Sequence, residues 1–218
     1  MTDIWELVEK FKQMDTTCVS DALDRLGIQG GCQGISPLVR GAKAVGPAFT
    51  VHYIPCGIDK GTVGDFLDDV DPGMVVVLDN AGRTHCTVWG DIMTVYSQKR
   101  KIAGTVIDGV CRDLPRILET KYPVFTRGRF MVTGKDRVEV AGINVPVSLS
   151  NVQVCPNDII LCDDTGVVVV PLKKAGDVLE AAVEIDEAEQ RILKLLDQGL
   201  TLREARKKLG YHKLQSKR

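Results

Sequence analysis

Short apolar runs alternate with an amphipathic segment in the central part of the chain. Strands are predicted at about residues 44–54, 74–79 and 105–108, and the last two are continuous apolar runs, as expected for strands covered on both faces. Between them, residues 91–101 have helical composition, with Ile92 and Tyr96 expected on one apolar face. This β-α-β pattern predicts an α/β fold with a parallel strand pair and a right-handed crossover.

Two short helices are predicted before the first strand. They extend to about residue 26, with a break at Asp15, and Gly27 fits a helix C-terminus. A glycine-rich segment follows at residues 30–34. It lacks the Lys-Ser/Thr pair of a phosphate-binding P-loop, so we interpret it as a connecting loop.

The second half of the chain has a different pattern. A short helix is predicted at 112–120 and a strand at 123–125, and from about residue 129 short β-rich stretches alternate with turn residues. We expect a strand-rich half that packs on the α/β half. The sequence ends with a long helix predicted at about 175–198, a capping-box pattern at 201–204 that begins another helix, and a frayed basic tail.

Length, net charge and residue composition argue against several classes of protein. The 218 residues suit one domain, and a net charge of −1 argues against a general nucleic-acid-binding or anionic-membrane-binding surface. No apolar run approaches the roughly 20 residues of a membrane span, and the N-terminus lacks a secretory signal pattern. The seven cysteines form no Cys-x-x-Cys pair and the three histidines show no ligand spacing, so we expect reduced thiols, no structural zinc site and a cytoplasmic protein.

Two polar clusters lie at the ends of the predicted β-α-β unit. Gly90-Asp91 begins the helix, and Arg112-Asp113 follows the next strand. Twenty residues separate Asp91 from Arg112, about the length of a helix out and a strand back. We therefore expect both clusters to meet at the carboxyl end of the sheet, where α/β proteins bind ligands.

These residue types suit the cleavage of a carbon–carbon bond next to a 2-oxo group, which leaves an enolate. Asp113 would be the direct ligand of a divalent cation, and Arg112 would bind the substrate carboxylate or oxo oxygen. Backbone amides at the helix start, from Gly90 and Asp91 to Ile92 and Met93, would hold the carboxylate, and Asp91 would orient a water molecule on the cation. Taken separately, each cluster also fits a surface ion pair or a helix-start charge.

Together with the segments around them, these clusters resemble the RraA-like family, which includes class II pyruvate aldolases acting on 4-hydroxy-4-methyl-2-oxoglutarate and 4-carboxy-4-hydroxy-2-oxoadipate. The aldolase motif is an Asp, twenty residues and then Arg-Asp, as in Asp91 and Arg112-Asp113. Further similar segments cover nearly the whole chain: SDAL at 20–23, VGPAFTV at 45–51, DPG at 71–73, GTVIDG at 104–109, PVF at 123–125, NVPV at 144–147 and DDTGVVVVP at 163–171.

The resemblance implies a swivelling β/β/α-type domain over residues 1–218, with flanking N-terminal and C-terminal helices. It implies a homotrimer or hexamer with active sites at subunit interfaces, Mg²⁺ or Mn²⁺ as cofactor, a small 2-oxo acid as substrate, pyruvate as product and oxaloacetate decarboxylation as a side activity. The helical extension at about 175–218 would contact the neighbouring subunit, where Glu189, or Glu187 as second choice, would complete the site. Glu189 also fits a solvated surface position.

Other functions and contacts stay open. Some members of this family inhibit an RNA-degrading endonuclease by binding it, without catalysis, and this is the alternative function. A methyltransferase function is rejected because no glycine-rich nucleotide-binding loop is followed by a ribose-binding acidic residue.

Four further residues have two interpretations each. His52 is either a packed core histidine or part of a specificity-determining region at 52–69. Arg83, His85 and Trp89 would either contact the distal part of a substrate or pack in a loop.

Overall fold

The computed structural model describes residues 3–209, which form six α-helices and two β-sheets. In chain order the elements are α1 (Ile4–Phe11), α2 (Thr16–Arg25), β1 (Ser36–Pro37), β2 (Ala44–Pro55), β3 (Val75–Thr87), α3 (Asp91–Lys99), β4 (Gly104–Cys111), α4 (Leu114–Thr120), β5 (Val124–Arg129), β6 (Val138–Ile143), β7 (Val147–Leu149), β8 (Val152–Val154), β9 (Ile159–Asp163), β10 (Gly166–Val170), α5 (Ala175–Asp197) and α6 (Leu202–Leu209). Short 3₁₀ turns lie at Asp65–Asp69 and Leu172–Lys174.

A mixed eight-stranded sheet forms the centre of the protein. Its order is β1-β5-β4-β3-β2-β9-β10, with β6 also paired to β2. Strands β2, β3, β4 and β5 are parallel to one another, and α3 connects β3 to β4. The predicted β-α-β unit is therefore confirmed. Every residue of β4 is buried, as its continuous apolar run predicts.

The expectation of a strand-rich C-terminal half packed on the α/β half is confirmed for β7 and β8 and wrong for β6, β9 and β10, which join the main sheet. Strand β2 has 12 residues, long enough to pair with several partners. Its residues 44–47 pair with β9 and its residues 51–55 pair with β6, both antiparallel, while residues 48–52 pair with β3. The late strands thus extend the same sheet, and β7 and β8 form a separate antiparallel hairpin.

Three apolar clusters hold the layers together. Helices α1, α2 and α5 pack on β9 and β10, and α3 and α4 pack on the β3–β4 region. The β7–β8 hairpin packs on Val75, Val77 and Val106 of the sheet, with Leu149 and Val154 among its buried residues. The α/β architecture predicted from the sequence is confirmed. The assignment of residues 1–218 to one domain stays a prediction.

The flanking helices follow the predicted signals. The Asp15 side chain accepts a hydrogen bond from the N–H of Cys18 and begins α2, and Gly27, with a φ of 68°, follows the end of that helix. At the start of α6, Glu204 accepts from the N–H of Thr201, and the Thr201 hydroxyl accepts from the N–H of Glu204, which completes the capping box.

Three local expectations are wrong. The buried face of α3 consists of Thr94 and Ser97, whereas Ile92 is 81% exposed. Helix α4 begins at Leu114 and not at residue 112, because Asp113 has a φ of 60°, which an α-helix does not accept. Residues 206–208, the first basic residues of the tail predicted to be frayed, belong to α6 instead.

The rest of that predicted tail, with Lys213, Lys217 and Arg218, lies outside the described residues, as does His212. All seven cysteines lie inside them and none is part of a disulfide. Among the helices of residues 3–209, none combines the length and the apolar character that a membrane crossing needs.

Candidate active site

A cavity of about 230 Å³ lies where β3 and β4 lead into α3 and α4. The residues predicted at the start of α3 and after β4 line it together: Gly90, Asp91, Ile92, Met93, Arg112 and Asp113. The remaining lining residues are Val63, Thr87, Val88, Trp89, Thr133 and Lys135. The structure therefore brings the two predicted polar clusters to one place. The catalytic roles given to their residues stay predictions.

The Asp113 carboxylate joins the two clusters. Its Oδ2 accepts a hydrogen bond from the N–H of Asp91 at 3.3 Å and lies 3.2 Å from Nε of Arg112. Both side chains of this ion pair are more than a third exposed, so the pair contributes only about 0–1 kcal/mol to stability. Arg112 can therefore exchange this contact for a substrate oxygen at small cost.

Gly90 makes this close approach possible. A Cβ atom at Gly90 would lie 2.6 Å from Asp113 Oδ2, closer than van der Waals contact permits. The φ of Gly90 is −156°, which any residue adopts, so its lack of a side chain matters here and its backbone freedom does not. The glycine thus leaves the space that the Asp113 carboxylate occupies.

Buried hydrogen bonds hold the turn before α3. The Thr94 hydroxyl donates to the carbonyl oxygen of Gly90 at 2.8 Å and accepts from Nε1 of Trp89 at 2.9 Å. The carbonyl oxygen of Trp89 in turn accepts from the N–H of Arg112 at 3.1 Å. Trp89 is buried and stacks on Tyr122. Loop packing was one of the two interpretations of Trp89, and the structure favours it.

The other two residues considered for distal substrate contacts lie away from the cavity lining. Nη1 of Arg83 donates to the carbonyl oxygen of Asn80 at 3.1 Å, and His85 is exposed. Neither lines the cavity. Their contact with a substrate gains no support from this arrangement.

The backbone amides at the start of α3 are less available than expected. The N–H of Ile92 donates to Asp91 Oδ1 at 2.8 Å, and the N–H of Asp91 points to Asp113. The positive end of a helix attracts the nearest carboxylates, and here two aspartates of the same chain reach it first. A substrate carboxylate would have to compete with them, which leaves Arg112 as the stronger candidate for binding it.

The donor set fits a hard divalent cation. Asp113 Oδ2 has two partners, whereas Oδ1 meets no hydrogen-bond donor among residues 3–209. No group of three His, Cys, Asp or Glu side chains that could hold a metal occurs in this range. Magnesium needs one or two protein carboxylates, with water and substrate oxygens at the other positions, so Asp113 and Asp91 suffice in type and number.

Lys135 is a cavity residue that the sequence interpretation missed. It reaches the cavity because residue 133 bridges to Thr87 and the N–H of Thr87 donates to the carbonyl oxygen of Val132 at 3.0 Å. A Cβ atom at Gly134 would lie 2.4 Å from the Thr87 carbonyl oxygen. Gly134 was the available signal of close backbone approach, but it does not indicate the partner strand.

Cys111 lies just before the Arg-Asp pair and is buried. Burial raises the pKa of its thiol to about 12, and the negative charge of Asp113 adds to the rise. The thiol is therefore protonated at neutral pH. This argues against Cys111 as a thiolate nucleophile in the site.

Glu189 and Glu187 lie on α5, away from the lining of the cavity of their own chain. Glu189 Oε2 is 3.9 Å from Sγ of Cys18 in α2, and Glu187 pairs with Arg191 at 2.8 Å. Neither can complete the site from within the same subunit in this arrangement. The role of Glu189 in a neighbouring subunit stays a prediction.

The named relatives of this chain include two that are similar over most of its length. Protein DlpA of Legionella pneumophila is 39% identical over 209 residues, which cover 94% of this chain but 34% of DlpA, so this chain spans about a third of that protein. A protein of Halalkalibacterium halodurans with the provisional name 4-hydroxy-4-methyl-2-oxoglutarate aldolase is 34% identical over 191 residues, covering 86% of this chain and 89% of the relative.

Structure and family comparisons agree with these relatives. The crystal structure of Streptomyces coelicolor RraAS2, described as an unusual member of the RNase ES inhibitor RraA protein family, superposes with a TM-score of 0.77 and 31% identity, covering 85% of this chain and 94% of the other. A family model described as Aldolase/RraA matches residues 16–169. The chain belongs to this RraA-like family.

Proposed function

We propose that this protein is a divalent-metal-dependent aldolase that cleaves a 4-hydroxy-2-oxo acid to pyruvate and a second oxo compound. The observation that carries the proposal is the convergence of Asp91, Arg112 and Asp113 on one cavity. The provisional name of the Halalkalibacterium halodurans relative supports an aldolase of this type.

Arg112 would stabilise the charge that develops during cleavage. In the retro-aldol step the C3–C4 bond breaks, the 4-hydroxyl loses its proton as C4 becomes a carbonyl, and the electron pair moves to C3 to give the enolate of pyruvate. The Arg112 guanidinium donates to the 2-oxo oxygen as it becomes an enolate oxygen. Protonation at C3 then gives pyruvate.

Asp113 would hold the cation, Mg²⁺ or Mn²⁺, with Asp91 beside it. When bound, the cation acts as a Lewis acid that lowers the energy of the enolate. Asp91 keeps one carboxylate oxygen on the N–H of Ile92, which fixes its orientation and leaves the other oxygen to accept from a water molecule. That water would take the 4-hydroxyl proton while it passes one of its own protons to the Asp91 carboxylate.

A neighbouring subunit would complete the site. We propose a homotrimer or hexamer in which Glu189 from the C-terminal helix of the adjacent subunit assists the proton transfer. The position of Glu189 outside the cavity of its own chain is compatible with this arrangement.

Lys135 would select the substrate. The lining contains two acidic residues, Asp91 and Asp113, and two basic residues, Arg112 and Lys135. Arg112 pairs with Asp113, so Lys135 is the basic group left for a second carboxylate. A cavity of about 230 Å³ suits a small acid, and Lys135 favours one with a second carboxylate.

Oxaloacetate is a small acid with a second carboxylate, so it meets both conditions. Its decarboxylation passes through the same enolate, with the C3–C4 bond broken and CO₂ released, so we propose it as a side activity.

The second candidate function is protein binding without catalysis. It rests on the likeness to Streptomyces coelicolor RraAS2, a member of a family of RNase ES inhibitors. An inhibitor of this kind needs a surface and no enolate-stabilising residues. Inhibition of a purified RNA-degrading endonuclease by a catalytically inactive variant would support it, whereas pyruvate formation dependent on Arg112 supports the enzyme.

We expect Arg112→Ala and Asp113→Asn to lower pyruvate formation by about 100- to 1000-fold, because each removes a group that stabilises the enolate. A lactate dehydrogenase-coupled assay with 4-hydroxy-4-methyl-2-oxoglutarate and with oxaloacetate measures this. Arg116→Ala is the matched control, since Arg116 is exposed on α4 and pairs with Glu119. EDTA should abolish turnover and added Mg²⁺ or Mn²⁺ should restore it. Wild-type turnover in Arg112→Ala would contradict the proposal.

Gly90→Ala should lose most activity and keep its stability. The added methyl group displaces the Asp113 carboxylate, which is the end of a partly exposed side chain and can move without disturbing the core. Gly176→Ala is the control, because a Cβ atom there meets nothing within 4 Å. Thermal unfolding and the coupled assay together check this. A Gly90→Ala enzyme with full activity would show that the position of Asp113 is unimportant.

Lys135→Met should raise the KM for a dicarboxylic 4-hydroxy-2-oxo acid by about tenfold, the loss of roughly one charged hydrogen bond. The KM for the monocarboxylic 4-hydroxy-2-oxopentanoate should change little. Lys99→Met, at an exposed position near the end of α3, is the control. Equal KM changes for both substrates would rule out a selective contact between Lys135 and the second carboxylate.

A further inference from the structure

A second polar cavity, of about 370 Å³, lies between His52 of β2, Asp79 of β3 and the β7–β8 hairpin. Its lining residues are His52, Asp79, Pro146, Val147, Ser148, Asn151 and Gln153. It shares none of them with the candidate active site. An inference about this cavity therefore does not rest on the proposed aldolase function.

Asp79 is a buried carboxylate with three donors. Its Oδ1 accepts from the N–H of Ala81 at 2.9 Å, and its Oδ2 accepts from the N–H of Ser148 at 3.2 Å. Nδ1 of His52 lies 3.0 Å from the same Oδ2. Because two backbone donors already require Asp79 to act as an acceptor, the His52 contact is best made by an Nδ1–H group.

The contact with Asp79 determines whether Nε2, the other ring nitrogen of His52, donates or accepts a hydrogen bond. With the proton on Nδ1, Nε2 of neutral His52 is a hydrogen-bond acceptor, oriented by a carboxylate behind it. The His52 side chain is 40% exposed, and Nε2 meets no partner among the described residues. The histidine is therefore not the packed core residue considered from the sequence. It presents an oriented acceptor to the cavity.

The backbone next to Asp79 is strained. Strand β3 loses its regular pairing with β4 between Asp79 and Arg83, and Ala81 adopts a φ of 49°. A left-handed alanine costs roughly 1 kcal/mol, and the Asp79 carboxylate holds it through the Ala81 N–H. Strain of this kind is concentrated at functional sites, so it supports a role for the Asp79 carboxylate beyond packing.

The charge of the residues that line this second cavity indicates which class of ligand it can bind. Within the described part of the chain, residues 3–209, the lining includes no lysine or arginine, and Asp79 is its acidic residue. An anion is therefore disfavoured. The other polar groups are the Ser148 hydroxyl and the side-chain amides of Asn151 and Gln153, all on exposed residues. Hydroxyls and amides bind ligands that both donate and accept hydrogen bonds.

We propose that this cavity binds a neutral polyhydroxylated molecule of about monosaccharide size, with one ligand hydroxyl donating to Nε2 of His52. Asn151 and Gln153 bind further hydroxyls from the hairpin side. The volume of about 370 Å³ is at the lower end of the range of small-molecule sites, which suits a ligand of this size.

The test is a titration of the ¹⁵N-labelled full chain with neutral polyols, namely glucose, ribose, myo-inositol and glycerol, followed by NMR. The anions gluconate and pyruvate are included as comparison probes. We expect at least one neutral polyol to give saturable shifts at the His52 ring nitrogens and the Ser148 amide. Variants are compared by the Ser148 shift, with thermal unfolding as a check of folding.

His52→Phe should weaken the binding of that polyol by roughly tenfold, and Gln153→Leu by a smaller factor, because each removes a hydrogen-bonding group. Asp113→Asn, in the other cavity, should leave the binding unchanged. The proposal is overturned if no polyol gives saturable shifts up to roughly 100 mM, well above a millimolar Kd. It is also overturned if gluconate binds in place of the neutral polyols, or if folded His52→Phe binds as the wild type does.

Discussion

The hydrogen bond from the N–H of Asp91 to the Asp113 carboxylate is the contact on which the site depends. It joins the start of α3 to the end of β4, two points that the parallel pairing of β3 and β4 brings to the same edge of the sheet. Gly90 leaves room for the carboxylate, and the left-handed backbone of Asp113 ends the strand and turns the chain into α4. Arg112 is placed by the same turn, so all the proposed chemistry depends on this close approach.

Much of the fold could be predicted because its signals are local. The apolar runs of β3 and β4, the Asp15 cap of α2 and the capping box at Thr201 specify elements without reference to the rest of the chain. The sheet order could not be predicted in the same way. It depends on how β2 divides its 12 residues among β3, β6 and β9, and that division is a property of the folded protein.

Functional residues likewise differ in whether local sequence signals or only the folded structure identifies them. Asp91, Arg112 and Asp113 could be named because their spacing matches one helix and one strand, whereas Lys135 reaches the cavity through a long-range bridge. The His52–Asp79 pair is likewise set by the register of β2 on β3. The sequence analysis expected the backbone amides at the start of α3 to bind the substrate carboxylate. In the structure, aspartate carboxylates of the same chain already accept from two of these amides, and a sequence pattern does not reveal such contacts.

A crystal of the protein soaked with Mn²⁺ and pyruvate tests the central claim most directly. The account predicts one strong anomalous peak within coordination distance of the Asp113 carboxylate, with the pyruvate oxo oxygen in contact with both the metal and the Arg112 guanidinium. Density that places the metal elsewhere, or pyruvate bound away from Arg112, would contradict it.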